Sequence, residues 1–224
     1  MADQVVQEID GFEQAETLTD RAYRELEEAI VTLRIPPGTM VSEAQLSRRL
    51  GVGRTPVREA LQRLAREWLV VIMPRRGIFV SEIDVARQLR LLDARRVLER
   101  LLAQSAAARC TPAQRAQFAG IAAGMDRAAK RSDDLSFMRL DREFNLLLLD
   151  AAGNEFAAAS MGLMNGLSRR FWYLHYKQVA DLPLAARLHA ATARAVAAGQ
   201  ESEAGAASDA LVDYIETFAR KTIE

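Results

Sequence analysis

Cysteine occurs once, at Cys110, and histidine twice, at His175 and His189. A lone cysteine excludes an intrachain disulfide framework, and two histidines leave little of the imidazole and thiolate that tight transition-metal sites demand. No apolar run approaches the ~18 residues of a membrane-spanning helix. The start, MADQVVQEIDGFEQAE, is acidic and has no secretory-signal character, so a cytoplasmic protein is expected. Also missing are a Glu-x-x-His pair, a phosphate-binding glycine loop, a nucleophile elbow and a Cys–His partnership at useful spacing. These absences argue against an enzyme. Net charge is lacking as well: thirty basic residues balance thirty acidic ones. The average hides an asymmetry, because residues 1–16 carry five acids and no base while Thr17 to Val80 hold eleven arginines against seven acids, a net of +4. Affinity for a polyanion follows local charge, so the balanced total does not exclude DNA.

With 224 residues the chain divides naturally into a small and a larger domain. Residues 1–16 lack periodicity and read as a mobile arm. Residues 17–81 and 85–224 read as two folded domains with a short linker near Ser81–Asp84. The first holds a helix from about Leu18 to Leu33, with Ala22, Leu26, Ala29, Ile30 and Leu33 on one face, ended by Ile35-Pro36-Pro37-Gly38. Ser42 and Gln45 form a capping-box pattern before a short helix carrying Leu46 and Leu50. Gly51-Val52-Gly53 supplies a turn. In the next helix Thr55 is expected at the N-cap and Pro56 at the first position, and Val57, Ala60, Leu61 and Leu64 form the buried stripe. Arg54, Arg58 and Gln62, four apart, line the opposite face. Val70 to Met73 and Ile78 to Val80 then read as a two-stranded wing whose tip, Pro74-Arg75-Arg76-Gly77, is basic.

From Asp84 onward there is no strand signal. Ala- and Leu-rich amphipathic segments predict six helices, at about 85–109, 112–131, 134–152, 155–178, 183–198 and 203–223, in an antiparallel bundle. Thr111-Pro112-Ala113-Gln114 repeats the capping logic. Three polar features interrupt the apolar faces. Asp141 and Asn145 share a face with Phe137, Phe144 and Leu148, where a buried carboxylate is costly unless paired; a solvated face at the bundle edge is the competing reading. His189 shares a face with Leu182, Ala185, Thr192 and Val196, where a lone histidine is more often a hydrogen-bonded core residue than a ligand. Asp93, Arg95, Arg96, Glu99 and Arg100 form a charge cluster, and most such clusters are exposed i, i+4 pairs.

The stretch SEAQLSRRLGVGRTPVREALQRLAREWLV followed by RRGIFV resembles the winged helix-turn-helix of the GntR family of bacterial transcription regulators, from Thr17 to about Ile83. The runs LDARRVLERLLA, DREFNLLLLDAAGN and LHAATARAVAAGQ resemble the helical effector domain called FCD, and six helices suggest its shorter variant. The resemblance implies a mainly α protein acting as a homodimeric, ligand-responsive regulator, a repressor on a near-palindromic operator. It assigns DNA contacts to Arg54 and Arg58, supported by Thr55 and Gln62, and to Arg75, Arg76 and Gly77 of the wing. In many members an Asp, a His four residues on and two later His hold a divalent metal, and an Arg on the first bundle helix meets a carboxylate effector. Carried over, these fall on Asp141, Asn145, His189, a position near Leu211, and Arg95. With Asn145 and Leu211 in place of histidines, the expectation is a polar pocket that holds at most a weakly bound divalent metal through Asp141 and His189. Arg95, Asp141, Asn145 and His189 are then the effector-binding residues. The contrasting classes are a metal-dependent bundle enzyme and a ligand-independent architectural DNA binder, and the latter has no need of inward polar groups.

Overall fold

Thr17 opens the first helix of the computed structural model, which describes residues 16–222. Its hydroxyl accepts the Asp20 N–H, and α1 (Leu18–Val31) buries Ala22, Leu26, Ala29 and Ile30. The expected mobile arm, apart from Glu16, lies outside the described residues. α1 ends two residues before the expected Leu33, which takes a positive φ, and Ile35 rather than Leu33 is buried. Two units divide between Glu82 and Ile83.

In the first unit, β1 (Met40–Val41) leads into α2 (Glu43–Leu50), whose N-cap Ser42 accepts the Gln45 N–H at 3.2 Å. Gly51 ends α2 at φ 65°, a left-handed position that a side chain would strain. α3 (Arg54–Arg66) begins earlier than its sequence suggests. Gly53, not Thr55, is the N-cap and makes no side-chain bond, so Arg54, Thr55 and Pro56 form the first turn. Proline is tolerated there because first-turn N–H groups have no intrahelical acceptor to lose. Val57, Ala60, Leu61 and Leu64 are buried, as the stripe predicts.

The hairpin of β2 (Val70–Met73) and β3 (Gly77–Val80) forms the wing, pairing Val70 with Val80 and Ile72 with Ile78. The expected two strands are extended to three, because β1 pairs with the other edge of β3 in the order β1-β3-β2. Two residues are too few for strand alternation to be legible. What fixes β1 is the turn before it, where Gly38 N–H reaches Val80 O and Val80 N–H reaches Thr39 O, both at 2.9 Å.

The second unit is α4 (Val85–Arg109), α5 (Pro112–Arg131), α6 (Asp134–Ala152), α7 (Glu155–Val179), α8 (Leu182–Ala198) and α9 (Glu201–Lys221). Asp84, Thr111, Asp133, Asn154 and Asp181 each cap the following helix, and Thr111 with Gln114 completes a reciprocal capping box. α4 is central, packing against α6, α7, α8 and α9, and so has no single apolar stripe. Small residues let the helices approach closely: Ala103, Ala106, Ala186, Ala190 and Ala193 are fully buried around Phe118 and Met125. A second cluster joins Leu92, Phe171, Val212 and Phe218.

Candidate DNA interface and buried polar cluster

α3 separates its side chains by face. Val57, Ala60, Leu61 and Leu64 anchor it, which leaves Arg54, Thr55, Arg58 and Gln62 exposed. At the wing tip Arg75 adopts φ 64° and Gly77 φ 109°, and Arg75, Arg76 and Gly77 are exposed. Arg54, Arg75 and Arg76 make no ion pair among the described residues. Arg58 differs. Its Nε donates to Glu43 Oε1 and its Nη2 to Glu43 Oε2, both at 2.8 Å, joining α3 to the first residue of α2. The pair lowers the Glu43 pKa and raises that of Arg58, in each case chiefly through the shared hydrogen bonds. Glu43 was not singled out in the sequence, although an acid at a helix start is a usual dipole partner.

Arg63, off the exposed stripe, has a local task. Its guanidinium lies 3.6 Å from the Tyr23 ring centroid and 3.4 Å from the buried Glu67, to which Tyr23 also donates at 2.8 Å. Burial raises the Glu67 pKa against these stabilising contacts.

In the second unit, Asp141, Asn145 and His189 come together although 48 residues separate the first and last. His189 Nε2 lies 2.9 Å from Asp141 Oδ1, and its Nδ1 lies 2.8 Å from Ala185 O. Asn145 Nδ2 donates to Asp141 Oδ1 at 3.0 Å and to the Asp141 carbonyl at 2.8 Å. Both ring nitrogens of His189 thus face acceptors, and only the imidazolium satisfies both as donor. Burial pulls the His189 pKa down, but Asp141, the Ala185 carbonyl and the charge of Glu99 outweigh it, and the net shift is upward. Phe137 and Phe144 meet the ring edge-on at centroid distances of 5.5 and 5.8 Å. His175 instead packs on Phe171.

The charge cluster of α4 is not the exposed ladder its spacing suggests. Arg95 donates to Glu99 Oε1 from Nε at 2.6 Å and also from Nη2, and both side chains are nearly buried. Arg96 and Arg100 cross to Asp213, Glu216 and Asp209 of α9. These neighbours come from tertiary packing, which spacing along one helix cannot reveal. Glu99, 8 % exposed, stands in the sequence only as one of that charge cluster and not as a site residue. Beyond Phe137, whose ring lies 6.1 Å from that of Trp172, the Trp172 Nε1 and Ser168 Oγ are buried without a hydrogen-bond partner among the described residues.

The FCD resemblance implies a metal, and the donor set here does not fit a tightly held one. Asp141 and His189 are in direct hydrogen-bond contact, the other imidazole nitrogen is bound to a backbone carbonyl, and Asn145 offers only an amide. Leu211, where a further histidine is expected, is buried and apolar. No group of three or more His, Cys, Asp or Glu suited to a metal exists among the described residues.

Residues 18–80 match the family described as bacterial regulatory proteins, gntR family, and residues 90–214 match the FCD domain. The chain is 31% identical over 172 residues to the HTH-type transcriptional repressor RspR of Escherichia coli, covering 77% of this chain and 75% of that protein. It is 29% identical over 125 residues to the Nta operon transcriptional regulator of Aminobacter aminovorans, covering 56% and 59% of the two chains. Among solved structures, E. coli McbR/YncC superposes with a TM-score of 0.79 at 18% identity, covering 93% of this chain and 99% of that one, a likeness of fold. No helix among the described residues is long and apolar enough to cross a membrane.

Proposed function

The chain belongs to the gntR family of bacterial regulatory proteins and carries an FCD domain, and from that premise we propose that this DNA-binding transcription regulator is a repressor released from its operator by a small carboxylate. The observation that carries the effector half is the polar cluster of α4, α6 and α8. A core that buries Glu99 and His189, with Arg95 nearly buried, beside Asp141 and Asn145 gives up apolar packing for groups that apolar residues of similar volume often replace with no loss of stability. Such a cluster serves ligand recognition. Glu99 takes the Nε side of Arg95, and the remaining Nη1–Nη2 edge is the place for an effector carboxylate. His189, charged through Asp141, and Asn145 supply directional hydrogen bonds. The buried Trp172 Nε1–H is a further donor for such a molecule.

Two copies acting together would set two α3 helices into successive major grooves of a near-palindromic site, with Arg54, Thr55, Arg58 and Gln62 facing the bases and Arg75, Arg76 and Gly77 of the wing against the backbone. Val97 and Leu101 on α4 and Phe156 and Leu163 on α7 are exposed apolar residues suited to such pairing. The name of RspR, a repressor, favours repression over activation. The test is a mobility-shift titration on DNA upstream of the chain's own gene, with Arg58→Ala and a salt series, followed by a screen of carboxylic acids. Specific binding that weakens steeply with salt, falls about tenfold in Arg58→Ala and is relieved by an acid supports the reading. Relief that persists in both Arg95→Ala and His189→Ala sinks the effector site.

A further inference from the structure

Among the arginines assigned to the DNA interface, Arg58 alone is held by a carboxylate among the described residues, and how it is held matters more than that it is held. An arginine offers five N–H donors on two usable edges. Glu43 takes the edge formed by Nε and Nη2, with one oxygen on each. The two Nη1 hydrogens and the second Nη2 hydrogen are left, and these form the end-on fork that matches guanine O6 and N7. The Arg58 side chain is 57% exposed and that of Glu43 27%, so the clamp stands at the protein surface with its free fork accessible. The carboxylate is itself fixed. Glu43 is the first residue of α2, set by the Ser42 cap, and the start of a helix favours an acid.

We propose that Glu43 is a positioning residue that fixes the edge Arg58 presents, so that this arginine reads a guanine in the major groove instead of seeking phosphate. This rests on the reading of α3 as the recognition helix. A free arginine on a helix surface samples many rotamers and is drawn to the nearest phosphate, which contributes affinity without sequence information. Clamping one edge removes most of those rotamers before binding and partly neutralises the charge that phosphate would attract. Glu43 therefore lowers affinity for DNA in general and raises it for the right sequence.

The opposed signs make the proposal testable. The specific probe is the tightest duplex that wild-type protein selects from a random-sequence pool, and the nonspecific probe is a scrambled duplex of equal length. Dissociation constants for both are measured by fluorescence anisotropy at one salt concentration. Glu43→Ala is expected to weaken specific binding about tenfold, the scale of one lost bidentate base contact, while nonspecific binding holds or tightens. Glu43→Gln, which keeps the length and one acceptor, should fall between. In an Arg58→Ala background, Glu43→Ala should leave the ratio of the two affinities unchanged. Equal tightening on both probes would mean that Glu43 merely repels DNA, and an equal loss of ratio with and without Arg58 would mean that it supports α2 alone; either overturns the proposal. Should Glu43→Ala fail to fold, Glu43→Gln decides by the same ratio. A pool yielding no preferred sequence sinks the recognition-helix reading itself, an outcome separate from any failure of Glu43.

Discussion

The first unit and the helical bundle both hold an arginine against a glutamate, and the two pairs differ in what the surrounding medium lets them do. Arg58–Glu43 lies in water, where Coulombic attraction is screened and an ion pair contributes little to stability, so its value is geometric. Arg95–Glu99 is nearly buried, next to a second pair formed by His189 and Asp141. There desolvation is expensive, and each charge is offset by the partner it touches. The same residue types thus orient a side chain at one place and maintain a balanced set of charges at the other. Breaking the surface pair should change DNA recognition with little change in stability, and breaking the buried cluster should do the reverse.

Four measurements sharpen that contrast. The largest effect on stability is expected from Asp141→Ala, which strips the carboxylate partner from the buried His189 ring. The cost should be about 2 kcal/mol, below the ~3–5 kcal/mol typical of a broken buried pair because the ring can discard its proton. Denaturant unfolding of the full chain reads this, and operator affinity at the same temperature should not move. Second, Arg58→Ala should weaken operator binding about tenfold and relax base preference, with little change in the slope of log affinity against log salt and the unfolding midpoint unchanged. Third, stability should depend on pH through His189. Its folded pKa lies above the ordinary histidine value, so the contribution is complete below that ordinary value and is lost as pH rises through the folded one. Melting temperatures of wild type should therefore fall on going from mildly acidic to alkaline buffer more than those of His189→Gln, and equal falls would count against a charged imidazole. The smallest effect is expected at the wing tip, where Arg76→Ala should cost about threefold on specific and scrambled DNA alike, as a backbone contact does.

The elements of the fold were largely legible because their signals are local. Thr111, Pro112 and Gln114 mark a helix start within four residues, and Val57, Ala60, Leu61 and Leu64 mark a buried stripe within two turns. The start of α3 was displaced because Thr55 and Pro56 carry the usual cap signature while Gly53 takes the cap through backbone alone. β1 was invisible because two residues have no periodicity and their pairing depends on a strand some forty positions away. In the bundle, the polar residues at apolar positions on α6 and α8 were visible in the sequence, and the structure brings Asp141 and His189 into contact. The partners of Arg58 and Arg95 were not visible there. Glu43 reaches Arg58 across a turn, and Glu99 looks like half of an ordinary i, i+4 surface pair until the other helices close over it.

The short strand β1 has a mechanical side. It hydrogen-bonds to the wing at one end and stops one residue before the Ser42 cap, and Glu43 follows directly. The β2–β3 hairpin and the carboxylate held against Arg58 are thereby joined through β1 and Ser42, with almost no slack between them. If the wing meets the DNA backbone as proposed, pressure on it would pass along β1 to the root of α2, and the width of the groove beside a site would bear on which base Arg58 accepts. On that proposal base preference depends on the sheet as much as on the helix, and lengthening the Thr39–Ser42 connection by one residue is expected to blur the preference that selection from a random-sequence pool reads.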